Sequence, residues 1–264
     1  MTYSRRTVLA GIGMAALAGC TGEGVSPAGS SSGGSGSNEI AATVEGETIQ
    51  IEVLPDTVES VSVIDPEGRL WTERPVPAGV TRVDVGLDER YTPGEFRIVG
   101  ASGGATVAET RLEIMPDLRI VEFDVGRNQP ERMPEGLGSV RDIESLVSVE
   151  NRGTGPEYVR RLLFNGDVPY PTTRIESASD RTTGIFGETE PVLIASGETI
   201  TLFSSTIPFS LAASRTIDCE SEFSGTAIVS LIPSVGAESL TTEFPVLYRP
   251  STDADECDVT IEVG

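Results

Sequence analysis

Residues Val61–Trp71 read VSVIDPEGRLW. Val61 and Val63 alternate with Ser60 and Ser62, so a strand here would carry one apolar and one polar face. Asp65-Pro66-Glu67-Gly68 then supplies turn residues: Pro fixes φ and Gly allows a left-handed step. Arg69–Thr72, RLWT, resumes a β-rich run. Period-two alternation bounded by Pro and Gly marks antiparallel strands and not helix.

The same signature extends in both directions. Ile49–Leu54, Ser60–Asp65, Arg69–Thr72, Arg82–Val85, Glu95–Val99 and Thr110–Ile114 read as strands, with a second turn at Thr92-Pro93-Gly94. Short strands at this spacing predict an antiparallel sandwich. Further along, Leu118–Val125, Ser145–Gly155, Glu157–Tyr170, Ala195–Phe209, Gly225–Ile232, Thr241–Tyr248 and Cys257–Gly264 continue the pattern, while 137–146 fits a short helix or a loop. The fold class predicted is all-β, with two antiparallel, immunoglobulin-like sandwich domains at 39–115 and 116–264. The two segments differ in length and motif, which argues against a regular repeat array.

VSVIDPEGRLW followed by RYTPGEFRIV (Arg90–Val99) resembles immunoglobulin-like and fibronectin-type extracellular modules, in which a Pro-Gly turn leads into a late strand bearing an aromatic. Phe96 stands where a Tyr is often found and has no hydroxyl for a tyrosine-corner hydrogen bond. Trp71 reads as core in the third of these strands. In the second half, VSVENRGTGPEYVRRLLFNG (Val147–Gly166) and IASGETITL (Ile194–Leu202) resemble the CARDB type of extracellular β-sandwich. Tyr170–Pro191 and the stretch around Cys219 look like insertions in that pattern. Such domains bind, space or present on cell surfaces, so the resemblance implies no catalysis.

The N-terminus carries an address. Val8–Gly19 is uncharged, but twelve helical residues span about 18 Å against a bilayer core of about 30 Å. A basic start, a short apolar stretch and small residues at its end make a secretory signal, residues 1–19. Ser4-Arg5-Arg6-Thr7-Val8-Leu9 resembles a twin-arginine export signal, with Arg5 and Arg6 as its recognition pair. Leu17-Ala18-Gly19-Cys20 resembles the lipobox of prokaryotic lipoproteins, which implies lipidation of Cys20. Two acyl chains hold a protein stably on a membrane where one does so marginally. Residues 20–38 then form a Gly/Ser-rich tether, a flexible coil by composition.

Charge narrows the partners. The 264 residues hold 41 Asp+Glu against 19 basic residues, every one Arg, with no His and a formal net charge of −22. Loss of residues 1–19 removes two arginines and no acid, leaving −24. This resembles the proteins of halophilic archaea. At 1 M salt the Debye length falls to about 3 Å, which screens such a surface from itself. The melting temperature is therefore expected to fall when salt is lowered from molar to millimolar; thermal scans showing no change would contradict this. No basic patch exists to neutralise phosphates, so nucleic acid is excluded as a partner. The expected partners are the membrane, through the lipid, and a cell-surface protein or envelope glycan.

Reactive constellations are few. Cys219 and Cys257 remain as a pair for an oxidising compartment, predicting a disulfide. Gly29-Ser30-Ser31-Ser32-Gly33 matches a nucleophile elbow literally, but lies in the tether and has no His base in the chain. The lack of His also removes blue-copper and His-zinc sites, and no cofactor is expected. Asp253, Asp255 and Asp258, in the densest acidic run, form a weak calcium candidate without the central Gly and closing Glu of an EF-hand loop. Arg160-Arg161 lies in a predicted strand, so one arginine should meet a surface carboxylate and the other flank the core.

These features predict a non-enzymatic, lipid-anchored protein on the extracellular face of the cell membrane of a halophilic archaeon, serving interaction or envelope structure. An exported carboxylate-based hydrolase is the alternative, and a transporter-associated solute-binding lipoprotein, which normally needs two α/β lobes, comes third.

Overall fold

The computed structural model describes residues 40–172, 191–204, 206–211, 217, 219–235, 239–251 and 257–262. These lie within one compact unit, Gly36–Gly264. The first half contains β1 (Ile40–Glu45), β2 (Thr48–Val53), β3 (Ser60–Ile64), β4 (Leu70–Pro75), β5 (Arg82–Gly86), β6 (Gly94–Ser102) and β7 (Ala105–Ile114). The second contains β8 (Leu118–Val125), β9 (Ser145–Asn151), β10 (Glu157–Gly166), β11 (Val192–Ile194), β12 (Thr199–Phe203), β13 (Phe223–Pro233), β14 (Leu240–Pro250) and β15 (Cys257–Ile261). The protein is all-β, and its strand pairs are antiparallel.

The first sandwich packs β1-β2-β5 against β4-β3-β6-β7. Its core is built by the alternation seen in the sequence: Ile49, Ile51 and Val53 of β2 face Val61, Val63, Phe96 and Ile98 of the other sheet. The fourth strand sits beside β3, where the immunoglobulin constant arrangement places it in the opposite sheet. Asp65 shapes the β3–β4 turn, its carboxylate accepting the Glu67 and Arg69 amides at 2.9 and 2.8 Å and Arg69 Nε at 2.9 Å.

The second sandwich repeats that topology. Its sheets run β12-β9-β8 and β11-β10-β13-β14-β15, the order of the first sandwich with β15 added beyond β14. The shared order is hidden in the sequence because the connections differ: the 65–69 turn has as its counterpart the long segment between β10 and β11. Phe123 centres the second core, its ring 5.7, 5.9 and 5.3 Å from those of Phe164, Phe209 and Phe244. Residues 137–146, open between helix and loop in the sequence, hold the 3₁₀ turn Gly138–Ile143 and the start of β9.

Two expectations need correcting. Trp71 lies in the fourth strand, not the third, because β1 escaped the sequence reading. It is half-buried, with its indole N–H on Gly86 O at 3.3 Å and its ring edge-on to Phe96. It thus bridges β4 to β5, the open side of the sandwich. β9 is buried on both faces and not on one. Arg132, from the connection between β8 and β9, pairs with Glu122 through both of its terminal nitrogens at 2.6 and 2.9 Å and reaches Ser148 at 3.1 Å, covering the outer side.

Candidate functional surfaces and the junction between sandwiches

Of the residues singled out in the sequence, Arg5, Arg6, Leu17, Ala18, Gly19 and Cys20 lie outside the described residues, as do the Gly29–Gly33 stretch, Asp253 and Asp255. Asp258 is exposed on β15. Among the described residues no three Asp, Glu or Cys side chains converge as metal ligands, and no helix is long and apolar enough to cross a membrane.

Cys219 and Cys257 form the expected disulfide, with Cα atoms 5.6 Å apart. It fastens the segment before β13 to the start of β15. Cys257 is buried in the second core. Cys219 sits at φ +58°, a left-handed conformation that costs a non-Gly residue. The far side of β15 is held as well: the Arg127 guanidinium donates to Cys257 O, and Asn128 Nδ2 donates to Val259 O at 3.0 Å.

The junction is where buried polar groups collect. The buried Tyr91 hydroxyl leaves its own sandwich and donates to Pro156 O at 2.8 Å. The Tyr158 hydroxyl crosses the other way, donating to Glu47 Oε2 at 3.2 Å and Leu87 O at 3.4 Å. Gly155 is pressed against both Ile114 and Tyr91, a Cβ there falling 2.6 Å from each. Val235 packs on the first core from the second sandwich. Glu157, 2% exposed, accepts the amides of Tyr158 at 2.8 Å and Val235 at 2.9 Å. Burial pushes the Tyr91 and Tyr158 hydroxyls well above the usual tyrosine range, so both remain donors.

Arg160 and Arg161 divide as expected. The β10–β13 register slips between Val159 and Arg161, leaving Arg160 as the bulge residue. Its guanidinium meets Glu89 of the first sandwich at 3.0 Å, while Arg161 is half-buried. Sequence reasoning missed this junction. Tyr91 and Tyr158 each lie two residues from a proline, Pro93 and Pro156, a weak signal that becomes meaningful once the two ends are brought together.

The buried carboxylates have structural partners or none. Burial raises Asp65, but the Arg69 amide and guanidinium outweigh it and hold the carboxyl below its ordinary value. The Arg132 guanidinium likewise lowers Glu122. Glu144 is different: burial alone pushes its carboxyl up to about 7, and Oε2 has no hydrogen-bond partner. It lies where the Gly138–Ile143 turn enters β9.

No protein-family model matches the chain, and no curated protein matches it. Among solved structures, a two-domain fibronectin type-III segment of chicken tenascin is 12% identical, with 77% of this chain and 95% of that chain covered and a TM-score of 0.28. The human OSCAR ligand-binding domain is 11% identical, with coverages of 77% and 96% and a TM-score of 0.22. A β-glucuronidase of glycoside hydrolase family 2 is 12% identical over 78% of this chain, with a TM-score of 0.24. This chain covers only 20% of that enzyme's length. Scores this low carry no argument; the class, an all-β protein of antiparallel sandwiches, rests on the strand order above.

Proposed function

We propose that the chain is a non-enzymatic, lipid-anchored interaction protein on the extracellular face of the cell membrane, in the envelope of a halophilic archaeon. The observation that carries this reading is the succession of an export signal ending in Leu17-Ala18-Gly19-Cys20, a Gly/Ser tether, and an all-β body of strong negative charge. An acidic body gains nothing from an anionic membrane surface, so the lipid on Cys20 supplies the attachment alone. The body supports a presenting role: its sandwiches meet through Tyr91, Tyr158 and the Arg160–Glu89 pair. The lysine-free, acidic composition suits concentrated salt.

Cys20→Ser is expected to release the protein into the medium or leave an unprocessed precursor, read by detergent-phase partitioning. A variant that still enters the detergent phase like the parent overturns the anchor. Affinity capture from the intact cell surface in high salt addresses the partner; repeated recovery of none counts against an interaction role.

A further inference from the structure

We propose that the 3₁₀ turn Gly138–Ile143 is a pH-operated latch over the start of β9, closed while the buried Glu144 carboxyl is protonated and released when it ionises. This goes beyond the interaction role proposed above and does not rest on it.

Glu144 ties the turn down through its own backbone. Its amide donates to Val140 O at 3.1 Å, and its carbonyl accepts the Gly126 amide at 2.8 Å. Its side chain is buried, 2% exposed, and Oε2 has no hydrogen-bond partner. Burying a carboxylate without a partner costs far more than burying the neutral acid. Ionisation therefore favours any state in which water reaches Glu144.

The charged groups on the surrounding elements give no compensation. Arg141 and Asp142, on the turn itself, pair with each other at 3.1 Å. Arg127, on the neighbouring turn Gly126–Asn128, donates to Asp142 O at 3.1 Å and to Cys257 O. Arg132, on the connection between the two turns, is held by Glu122, and Glu131 and Glu135 of that connection are exposed. Asp124, near the end of β8, accepts from Asn128 and Gln129. The segment after β12, whose Phe209 amide donates to Ile143 O at 3.2 Å, brings no titratable side chain in residues 206–211.

Little else holds the turn shut. None of Gly138–Ile143 is buried, so its ties are hydrogen bonds. Gly136 before it and Gly138 at its start have φ +89° and +59°, with open space where a Cβ would stand. Met133 and Pro134 of the connection and Leu137 and Arg141 of the turn region line a cleft of about 380 Å³, which leaves room to move. Segments with few buried contacts open locally, well below the cost of global unfolding. Burial alone pushes the Glu144 carboxyl from its ordinary value of 4.5 up to about 7. The closed turn is thus most stable below about pH 4.5 and loses stability as pH rises through about 7. Over that window the closed-to-open ratio falls by up to about tenfold per pH unit.

The test is hydrogen exchange on the full chain bearing Cys20→Ser, in molar salt, read as protection corrected for the intrinsic rate. The Gly126, Glu144 and Phe209 amides are expected to lose roughly 40-fold of protection between about pH 5 and 7, and less than about twofold more by pH 8. The β13 amides of the second core should stay level. Glu144→Gln keeps the shape without the titration, and Glu144→Met keeps it without polar atoms; protection in either should be independent of pH. An NMR titration of the Glu144 carboxyl carbon, assigned by its absence in the Gln variant, should give a midpoint near 7. Protection that is flat with pH in the parent overturns the latch. So does an equal fall in both variants, a fall shared by β13, or a carboxyl midpoint near 4.5.

Discussion

Asn151→Ala is expected to cost the second sandwich about 4 kcal/mol and to loosen its junction with the first. The side chain is fully buried and uses all of its hydrogen-bonding capacity in one place. Nδ2 donates to Gly155 O at 2.8 Å and Ile194 O at 3.0 Å, while Oδ1 accepts the amides of Asp117 at 3.1 Å and Gly153 at 3.0 Å. Truncation to Ala orphans all four backbone groups, each costing about 1–3 kcal/mol where water cannot replace the amide. Gly155, which this amide positions, is the residue packed on Tyr91 and Ile114. Denaturant titration should show the loss, and hydrogen exchange should rise at the Gly153 and Asp117 amides. A variant within 1 kcal/mol of the parent would sink the account.

Asn151→Asp sharpens the same prediction through pH. An ionised carboxylate presents oxygens to the carbonyls of Gly155 and Ile194, so the folded state disfavours the charge and raises the carboxyl above its unfolded value of about 3.9. A group raised in this way contributes most below its unfolded pKa and loses that contribution as pH climbs through the folded one. The Asp variant should therefore approach the parent in acid and fall below it towards neutrality. A pH-independent deficit would mean that shape, not hydrogen-bond direction, is what Asn151 provides.

Asn151 also marks how far the sequence carried. Ser145–Gly155 was legible as a strand followed by a turn, because alternation and glycine spacing are local properties. The four bonds of the Asn151 amide were not legible: two of them reach Asp117 and Ile194, positions set only when β8, β9 and β11 come together. β1, IAATVE, escaped because small residues and one Val give weak alternation, and β11 because three residues give no period at all. Arg160-Arg161 could be divided into an outward and a half-buried partner from strand geometry alone. That the outward one would find Glu89 depended on a bulge, for which the sequence held no sign. The common strand order of the halves was masked for the same reason: strands carry the topology, but the loops between them dominate a linear comparison.

The acidic surface and the covalent clasp act on different parts of the same stability. Ion pairs such as Arg111–Glu95 and Arg82–Asp84 are half-exposed or more, so each is worth little, and less as salt rises. Salt therefore acts chiefly on the long-range repulsion of the whole body. The disulfide acts locally, on the sandwich with the larger loops.

Replacing both cysteines by alanine is expected to destabilise the second sandwich by about 4 kcal/mol, the chain-entropy value for a closed loop spanning 38 residues. The effect should be confined to that core, because Cys257 packs with the Phe123 cluster and has no place in the first. Thermal unfolding of the variant should then separate into two transitions, with the earlier one lowered by roughly 10 °C. β15 should lose protection first, since its remaining ties are the β14 pairing, the side-chain bonds from Arg127 and Asn128 and the packing of Val259. Cys219→Gly in place of Cys219→Ala should recover about 1 kcal/mol, because φ +58° suits glycine and strains alanine. A double alanine variant that melts as one cooperative unit at the parent's temperature would show that β15 is held by its hydrogen bonds and the packing of Val259 without the disulfide. A glycine variant less stable than the alanine one would show that the left-handed turn at 219 exists only while the disulfide imposes it.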